Sequence, residues 1–154
     1  MIKINSIIHR FLADDALRTF PDECCGFLLG TEEGEERVVE EIIVVNNAKD
    51  GDKRRRFEIT ALDYLKAERT AEEKNLLLLG VYHSHPNHPS VPSQHDRAVA
   101  QPYFSYVIVA VRENEFVSLQ SWRLNDDSQF EEEKVEGYLP QSAESTPRPY
   151  PSSQ

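Results

Sequence analysis

The sequence predicts an α/β domain in which helices flank a mixed β-sheet. Its 154 residues suit one globular domain, and a hydrophobic fraction of 39% is enough for a buried core. Apolar residues recur at helical spacing in some segments and form short β-branched runs in others. The predicted order is helix, hairpin, helix, strand, helix and then strands. The pattern alone does not fix which strands pair.

The first part of the chain contains a predicted helix followed by a hairpin. A helix over Ser6–Phe20, ended by Pro21, is predicted from the spacing of five apolar residues: Ile7, Ile8, Phe11, Leu12 and Leu17. Cys24–Gly30 is a short apolar run, which is typical of a buried strand. Val38–Asn46 is β-branched and forms the predicted returning strand, after an acidic turn around Gly34.

A polar loop and a second helix follow the hairpin. Ala48–Arg55 is polar and predicts a loop, and Phe57–Ile59 predicts a short strand. Thr60 followed three residues later by Asp63 is typical of a helix N-cap with an acid in the first turn. This pattern predicts a helix that ends at about Asn75.

The second half of the chain is dominated by strands. Leu76–Tyr82 is apolar and of strand length, and Ser93–Ala100 is compatible with a helix. Phe104–Val111 and Phe116–Leu124 predict two more strands, and Gln129–Glu136 predicts a terminal strand or a short helix. Three prolines predict a rigid, extended loop between the strand Leu76–Tyr82 and the helix Ser93–Ala100: Pro86, Pro89 and Pro92.

Composition predicts one domain over residues 1–139 and a tail over 140–154. The tail is rich in proline and serine and has too few apolar residues to offset its ordering entropy, so we predict that it is disordered.

Charge, hydropathy and cysteine content exclude several classes of function. The net charge of -10 argues against general nucleic-acid binding, because nothing obvious would neutralise phosphates. No apolar run approaches the ~20 residues that a transmembrane helix needs, and no secretion signal is predicted at the N-terminus. Cys24 and Cys25 are adjacent and predict no disulfide framework. We therefore expect a cytoplasmic protein.

The motif with the clearest chemistry is His-x-His-x7-Ser-x-x-Asp, formed by His83, His85, Ser93 and Asp96. Residues i and i+2 of an extended chain point to the same side, so the two imidazoles can bind one ion. Asp96 approaches from the next helix. Three protein ligands of this kind leave the fourth position of a tetrahedral zinc to water, as in catalytic sites.

Hydrolysis at such a site also needs a proton acceptor and a donor to the developing oxyanion. Ser93 is the candidate donor because it lies close to Asp96 in sequence. Glu23 is the candidate base because it begins a predicted buried strand, where a carboxylate is costly without a partner.

Together these residues resemble the JAMM (MPN-plus) metallopeptidase family. The resemblance covers about Ile4–Glu136 and is closest to a bacterial branch that acts on ubiquitin-like sulfur-carrier proteins. It rests on the motif and on four further stretches: Glu23-Cys24-Cys25-Gly26, Tyr82-His83-Ser84-His85-Pro86, Phe104-Ser105-Tyr106-Val107-Ile108-Val109 and Ser121-Trp122-Arg123-Leu124. It implies a mixed, largely antiparallel sheet flanked by helices, similar to cytidine deaminases.

The resemblance also implies residue roles and a partner. One Zn²⁺ is expected on His83, His85 and Asp96, with Glu23 as general base and Ser93 as oxyanion stabiliser. The expected reaction is hydrolysis of the amide bond after the C-terminal Gly-Gly of a small ubiquitin-like β-grasp carrier protein.

Alternative functions stay open from the sequence. A non-catalytic MPN-type scaffold would have broken ligands, whereas all are intact. A phage-tail or cell-wall peptidase is another use of the same domain. A zinc deaminase would need Cys-x-x-Cys and His-x-Glu, and neither occurs.

Single residues also have alternative interpretations. Ser93 and Asp96 fit a purely structural helix cap, and Glu23 fits a surface acid. His88 is expected to be solvated or substrate-facing. The basic run Lys53–Arg56 fits either a contact with an acidic carrier or a solvated loop.

Overall fold

A computed structural model describes residues 1–137. The predicted tail and the end of the predicted domain, at residue 139, lie outside this range. The elements are β1 (Ile2–Lys3), α1 (Ser6–Thr19), β2 (Cys25–Glu33), β3 (Glu36–Val45), α2 (Ala61–Glu73), β4 (Leu77–Pro86), α3 (Gln94–Val99), β5 (Ser105–Arg112), β6 (Glu115–Leu124), β7 (Phe130–Glu133) and β8 (Val135–Glu136).

The strands of residues 1–137 form one eight-stranded sheet in the order β7-β6-β5-β4-β2-β3-β1-β8. Four of the seven strand pairs are antiparallel, and these include the long pairs that β2 makes with β3 and β4. The pair β4–β5 is parallel, because α3 and its flanking loops carry the chain back across the sheet. The predicted mixed, largely antiparallel sheet is confirmed.

Helices cover both faces of this sheet. Leu12 of α1 packs with Val107 and Val109 in one core cluster, whereas Ala67 of α2 packs with Tyr106 in the other. Neighbouring residues of β5 thus face opposite layers, and every residue of β5 is buried. Since β4 is the direct neighbour of β5, its residues also lie in the centre of the sheet.

Local capping explains where the helices begin. The Asn5 side chain accepts a hydrogen bond from the backbone N–H of Ile8, at 2.9 Å, at the start of α1. The predicted cap of α2 is present, with Thr60 Oγ1 accepting from the N–H of Asp63 at 3.1 Å. This helix ends at Glu73, and Asn75 adopts a left-handed backbone with φ of 59°.

The strand predicted over Phe57–Ile59 is wrong. This segment has no regular secondary structure, because the Asn47 side chain binds the backbone carbonyl of Arg56 and the N–H of Glu58 in place of a neighbouring strand. Phe57 is nevertheless buried, at 7% exposure. It packs against the site described below.

The first residues, the segment that ends at Glu136 and one central strand also differ from prediction. The two-residue strands β1 and β8 are too short to leave a periodic pattern in the sequence. The segment Gln129–Glu136, predicted as a strand or a short helix, contains the strand β7. β4 runs four residues beyond the predicted end at Tyr82, to Pro86. Within residues 1–137, no helix is long and apolar enough to span a membrane.

Candidate metal centre

His83 and His85 lie inside the central strand β4 and not in the loop after it. Their alternation along the strand places both imidazoles on the face that Val81 shares with α2. Each is only 1% exposed. The sheet therefore holds the two rings in fixed, water-poor positions on the same face.

The helix α3 brings Asp96 to the two imidazoles. Ser93 is its N-cap, and its Oγ accepts a hydrogen bond from the N–H of Asp96 at 3.0 Å. In return, Asp96 Oδ2 accepts from the N–H of Ser93 at 2.9 Å. This capping box turns the carboxylate inward and fixes its rotamer. The predicted helix cap of Ser93 and Asp96 is thus confirmed, and it leaves the carboxylate beside the imidazoles.

The three side chains present one ligand atom each in a nearly equilateral triangle. His83 Nε2 and His85 Nε2 are 3.2 Å apart, and Asp96 Oδ2 lies 3.2 Å from the first and 3.1 Å from the second. Tetrahedral zinc has bonds of about 2.0–2.1 Å, which makes the distance between two of its ligands about 3.3 Å. The spacing and the donor set therefore fit a zinc ion.

Neighbouring groups orient the two imidazoles. The Nδ1 of His85 lies 2.7 Å from the Pro89 carbonyl oxygen, which can only accept, so Nδ1 donates its proton; in the neutral ring this leaves the Nε2 lone pair for a metal ion. Phe57 stacks on His83, with ring centres 4.4 Å apart. The proline-rich loop and the irregular Phe57 segment thus set the ligand geometry.

Charge within the triangle favours an ionised aspartate. Burial by itself raises the pKa of Asp96. The charge of His83, hydrogen bonds from both imidazoles and the N–H of Ser93 outweigh that effect and hold the pKa well below its usual range. The carboxylate is therefore anionic at neutral pH, as a metal ligand must be.

Glu23 lies beside the triangle and is buried. It is 1% exposed, and its Oε1 has no hydrogen-bond partner within residues 1–137. Burial raises its pKa to about 8, aided by the negative charge of Asp96 and opposed by His85. Its main chain is anchored, since the Glu23 N–H donates to the Lys53 carbonyl at 2.7 Å. The interpretation of Glu23 as a surface acid is wrong.

Sequence reasoning did not foresee the position of His88. It is half-buried, and its ring centre is 4.4 Å from that of His85. A ring nitrogen of His88, one of His85 and a carboxylate oxygen of Glu23 all lie within 4.8 Å of one another. His88 is therefore packed against the site. Only its place two residues after the proline that ends β4 could have indicated this.

The Glu23 carboxyl makes stability depend on pH in metal-depleted protein. Its folded-state pKa, about 8, exceeds the ordinary value of 4.5, so the folded chain binds the extra proton between these pH values. The free energy of unfolding should fall as pH rises through this window, by up to about 1.4 kcal/mol per pH unit. Glu23→Gln should remove this decline, as measured by urea unfolding from pH 5 to 8. The exposed control Glu113→Gln should keep it, and an unchanged slope in Glu23→Gln would show that Glu23 is not the group responsible.

Comparison with known families identifies the domain. The family described as prokaryotic homologs of the JAB domain matches residues 6–125. The chain belongs to this family. The matched segment includes Glu23, the His83–His85 pair and the Ser93–Asp96 cap, so the predicted JAMM (MPN-plus) family is confirmed.

Curated relatives of this prokaryotic JAB domain include two named enzymes. The chain is 34% identical over 118 residues to the CysO-cysteine peptidase of Mycobacterium tuberculosis (strain ATCC 25618 / H37Rv), which covers 76% of this chain and 78% of the relative. It is 29% identical over 113 residues to the desampylase of Pyrococcus furiosus, with 73% and 74% covered. The predicted enzyme class, a JAMM-type peptidase, is confirmed at the level of the family.

Solved structures share the fold of the JAB domain. The protein DSY2949 from Desulfitobacterium hafniense is 26% identical, with a TM-score of 0.79 over 94% of this chain and 97% of that one. AF2198, a JAB1/MPN domain protein from Archaeoglobus fulgidus, is 18% identical, with a TM-score of 0.55 over 90% and 98%. The predicted JAMM/MPN fold class is thereby confirmed.

Proposed function

We propose that this JAB-domain protein is a zinc-dependent peptidase or isopeptidase. Its substrate would be the amide bond after the C-terminal Gly-Gly of a small ubiquitin-like protein of the sulfur-carrier type. The observation that carries the proposal is the ligand triangle of His83, His85 and Asp96, with the buried, unpartnered carboxylate of Glu23 beside it. A three-ligand set of this kind is typical of catalytic zinc, because structural sites use four protein ligands.

His83, His85 and Asp96 would hold the zinc ion. When bound, zinc supplies a Lewis acid that polarises the scissile carbonyl and lowers the pKa of water to about 7. The hydrogen bond from His85 Nδ1 to the Pro89 carbonyl and the capping box at Asp96 keep the ligand atoms in place before binding. Ligands held this way lose little conformational entropy when the ion binds.

Glu23 would serve as the general base and then as the general acid. Its carboxylate takes a proton from the attacking water and returns it to the leaving amine. A raised pKa suits both steps, since a group that titrates near neutral pH can accept and release a proton at similar rates. The burial of Glu23 also keeps bulk water from competing for that proton.

Ser93 would stabilise the oxyanion. Its Oγ already accepts a hydrogen bond from the N–H of Asp96, but the hydroxyl hydrogen is a separate donor. Ser93 is exposed, so this hydrogen can reach a bound substrate. Capping and oxyanion stabilisation are thus compatible in one side chain.

Two features support a carrier protein as the substrate. The relatives described above are named for a CysO-cysteine peptidase and a desampylase activity. In a chain of net charge -10, the basic run Lys53–Arg56 is in the loop that binds the main chain of Glu23. That position suits contact with an acidic carrier whose extended tail enters as an added strand.

A cytoplasmic location is part of the proposal. Its support is that Cys24 and Cys25 are both free and buried. Unpaired cysteines are usual in the reducing compartment where sulfur carriers would be processed.

The direct test is cleavage of candidate β-grasp carriers that bear short extensions after Gly-Gly. Zinc-loaded protein should remove the extension and leave a carrier ending in Gly-Gly, as measured by intact mass. Metal-depleted protein should not cleave, and a carrier ending in Ala-Ala before the extension should be cleaved much more slowly. Cleavage of cell-wall peptides in place of carriers would favour the cell-wall peptidase. If zinc is bound and nothing is cleaved, the proposed function has failed and a binding scaffold or a small substrate is favoured.

A further inference from the structure

A small cavity lies beside α3, next to the candidate metal centre. It measures about 220 Å³, and its lining includes Ser93, Arg97, Trp122, Gln129 and Phe130. This is below the roughly 300–1,000 Å³ of sites for drug-sized ligands. The cavity therefore suits a small group, such as one amino-acid residue.

The charged group that lines the cavity is a cation, in a protein whose net charge is -10. Arg97 supplies the one charged side chain among the lining residues, and none of them is an acid. The guanidinium Nη1 of Arg97 donates to Gln129 Oε1, at 3.0 Å, and this partner is a neutral amide. Within residues 1–137, no carboxylate oxygen lies within 4.0 Å of Arg97. Its charge is thus available to an anionic ligand.

The sequence of α3 ties the cavity to the reaction centre. Asp96 is buried and points to the two imidazoles, whereas the next residue, Arg97, is exposed and lines the cavity. Ser93 lines the same cavity and donates its N–H to Asp96 Oδ2, at 2.9 Å. Ser93 thus joins the cavity lining directly to a residue of the candidate metal centre.

The chemistry of the substrate indicates whether the cavity binds the residues before or after the scissile bond. A Gly-Gly tail has neither a side chain nor a negative charge before the scissile bond, so it offers a guanidinium only neutral backbone carbonyls. A single residue after that bond ends in a free α-carboxylate, which is the planar anion that arginine binds through two parallel hydrogen bonds. Trp122 and Phe130 provide apolar surface for the rest of that residue.

We propose that this cavity binds the leaving residue and that Arg97 binds its α-carboxylate. The inference rests on the proposed function and deepens it. The protein would prefer carriers whose Gly-Gly is followed by one C-terminal residue over carriers with longer or blocked extensions.

The test compares two versions of one carrier that the wild-type protein cleaves, each ending in Gly-Gly-Ala. One version has a free carboxylate and the other a C-terminal amide. Wild-type kcat/KM should be about 10- to 100-fold higher for the free acid, which is the usual range for a hydrogen bond to a charged group. The difference should lie mainly in KM if Arg97 binds substrate and transition state equally.

Variants assign this preference to Arg97. In Arg97→Gln the acid-to-amide ratio should fall to about one, and Arg97→Lys should keep part of it. Arg10→Gln, at an exposed position of α1, is the matched control and should keep the wild-type ratio. Trp122 is the one tryptophan of the chain, so its fluorescence during urea unfolding checks that each variant is folded.

Two results would overturn the inference. Equal cleavage of acid and amide by the wild type would show that the carboxylate is not bound. A parallel loss on both substrates in Arg97→Gln would give Arg97 a different role. By contrast, if zinc-loaded wild type cleaves no carrier, the proposed function itself has failed.

Discussion

Replacing Glu23 with glutamine should lower kcat by about 10²- to 10⁴-fold, the range that a general base contributes, while zinc stays bound. Glutamine has nearly the same volume as glutamate and cannot take up a proton. Glu23 is not one of the three residues in the ligand triangle, so the metal content of the variant should match that of the wild type. Carrier cleavage and elemental analysis of the same preparation measure the two quantities together.

The substitution Glu23→Gln should leave the main-chain hydrogen bonds of residue 23 unchanged. The N–H and carbonyl of Glu23 are bound by Lys53 and Asn47 and do not depend on the carboxylate. Because Oε1 has no partner within the described residues, the amide leaves no broken hydrogen bond behind at that atom. Glu113→Gln, at an exposed turn position, controls for the loss of one negative charge. If Glu23→Gln keeps both its zinc and the full rate, another group must act as base.

Local sequence rules predicted the part of the site that lies on short segments. His83 and His85 share a face because they are two residues apart in an extended strand, and the Ser93–Asp96 cap follows from helix chemistry. The cap also supplied a competing explanation for the same two residues. Only the fold shows that the capped carboxylate lies 3.1 Å from His85.

Long-range contacts were beyond such rules. Glu23 lies just before β2, and it reaches His85 because β2 pairs with β4, which places Cys25 opposite His83. Its role was inferred from family resemblance and from the cost of burying an acid. The stacking of Phe57 on His83 was hidden because an aromatic residue in a short apolar run is also typical of a strand.

His88 shows how a proline-rich loop can mislead. Prolines usually indicate an exposed, extended connection, yet here the loop folds back so that the Pro89 carbonyl accepts from His85 and His88 packs on the same ring. Both contacts depend on β4 continuing to Pro86, four residues beyond the end of its apolar run. Polar residues extend the strand because the sheet pairs them with β5 on one side.

Replacing Asp96 with asparagine should weaken zinc binding by more than about 100-fold and abolish carrier cleavage at limiting zinc. Even outer-shell partners of a metal ligand contribute about 10- to 100-fold in affinity, so loss of a charged ligand should exceed that range. The amide oxygen of asparagine can still accept from the N–H of Ser93, which preserves much of the capping box. Competition with a fluorescent zinc chelator measures the affinity.

Asp63→Asn is the matched control, because Asp63 holds the same position in α2, three residues after the Thr60 cap. Both changes remove one charge from the first turn of a helix, where its interaction with the helix dipole is worth about 0.3–1 kcal/mol, but only Asp96→Asn also changes the contacts with the two imidazoles. Asp63 is not part of any metal-capable group within residues 1–137, so its variant should bind zinc like the wild type. Weak zinc binding in Asp96→Asn, with unchanged binding in Asp63→Asn, would identify Asp96 as a zinc ligand. Equal, unchanged binding in both variants would reduce Asp96 to a helix cap and remove the basis for a catalytic metal at this site.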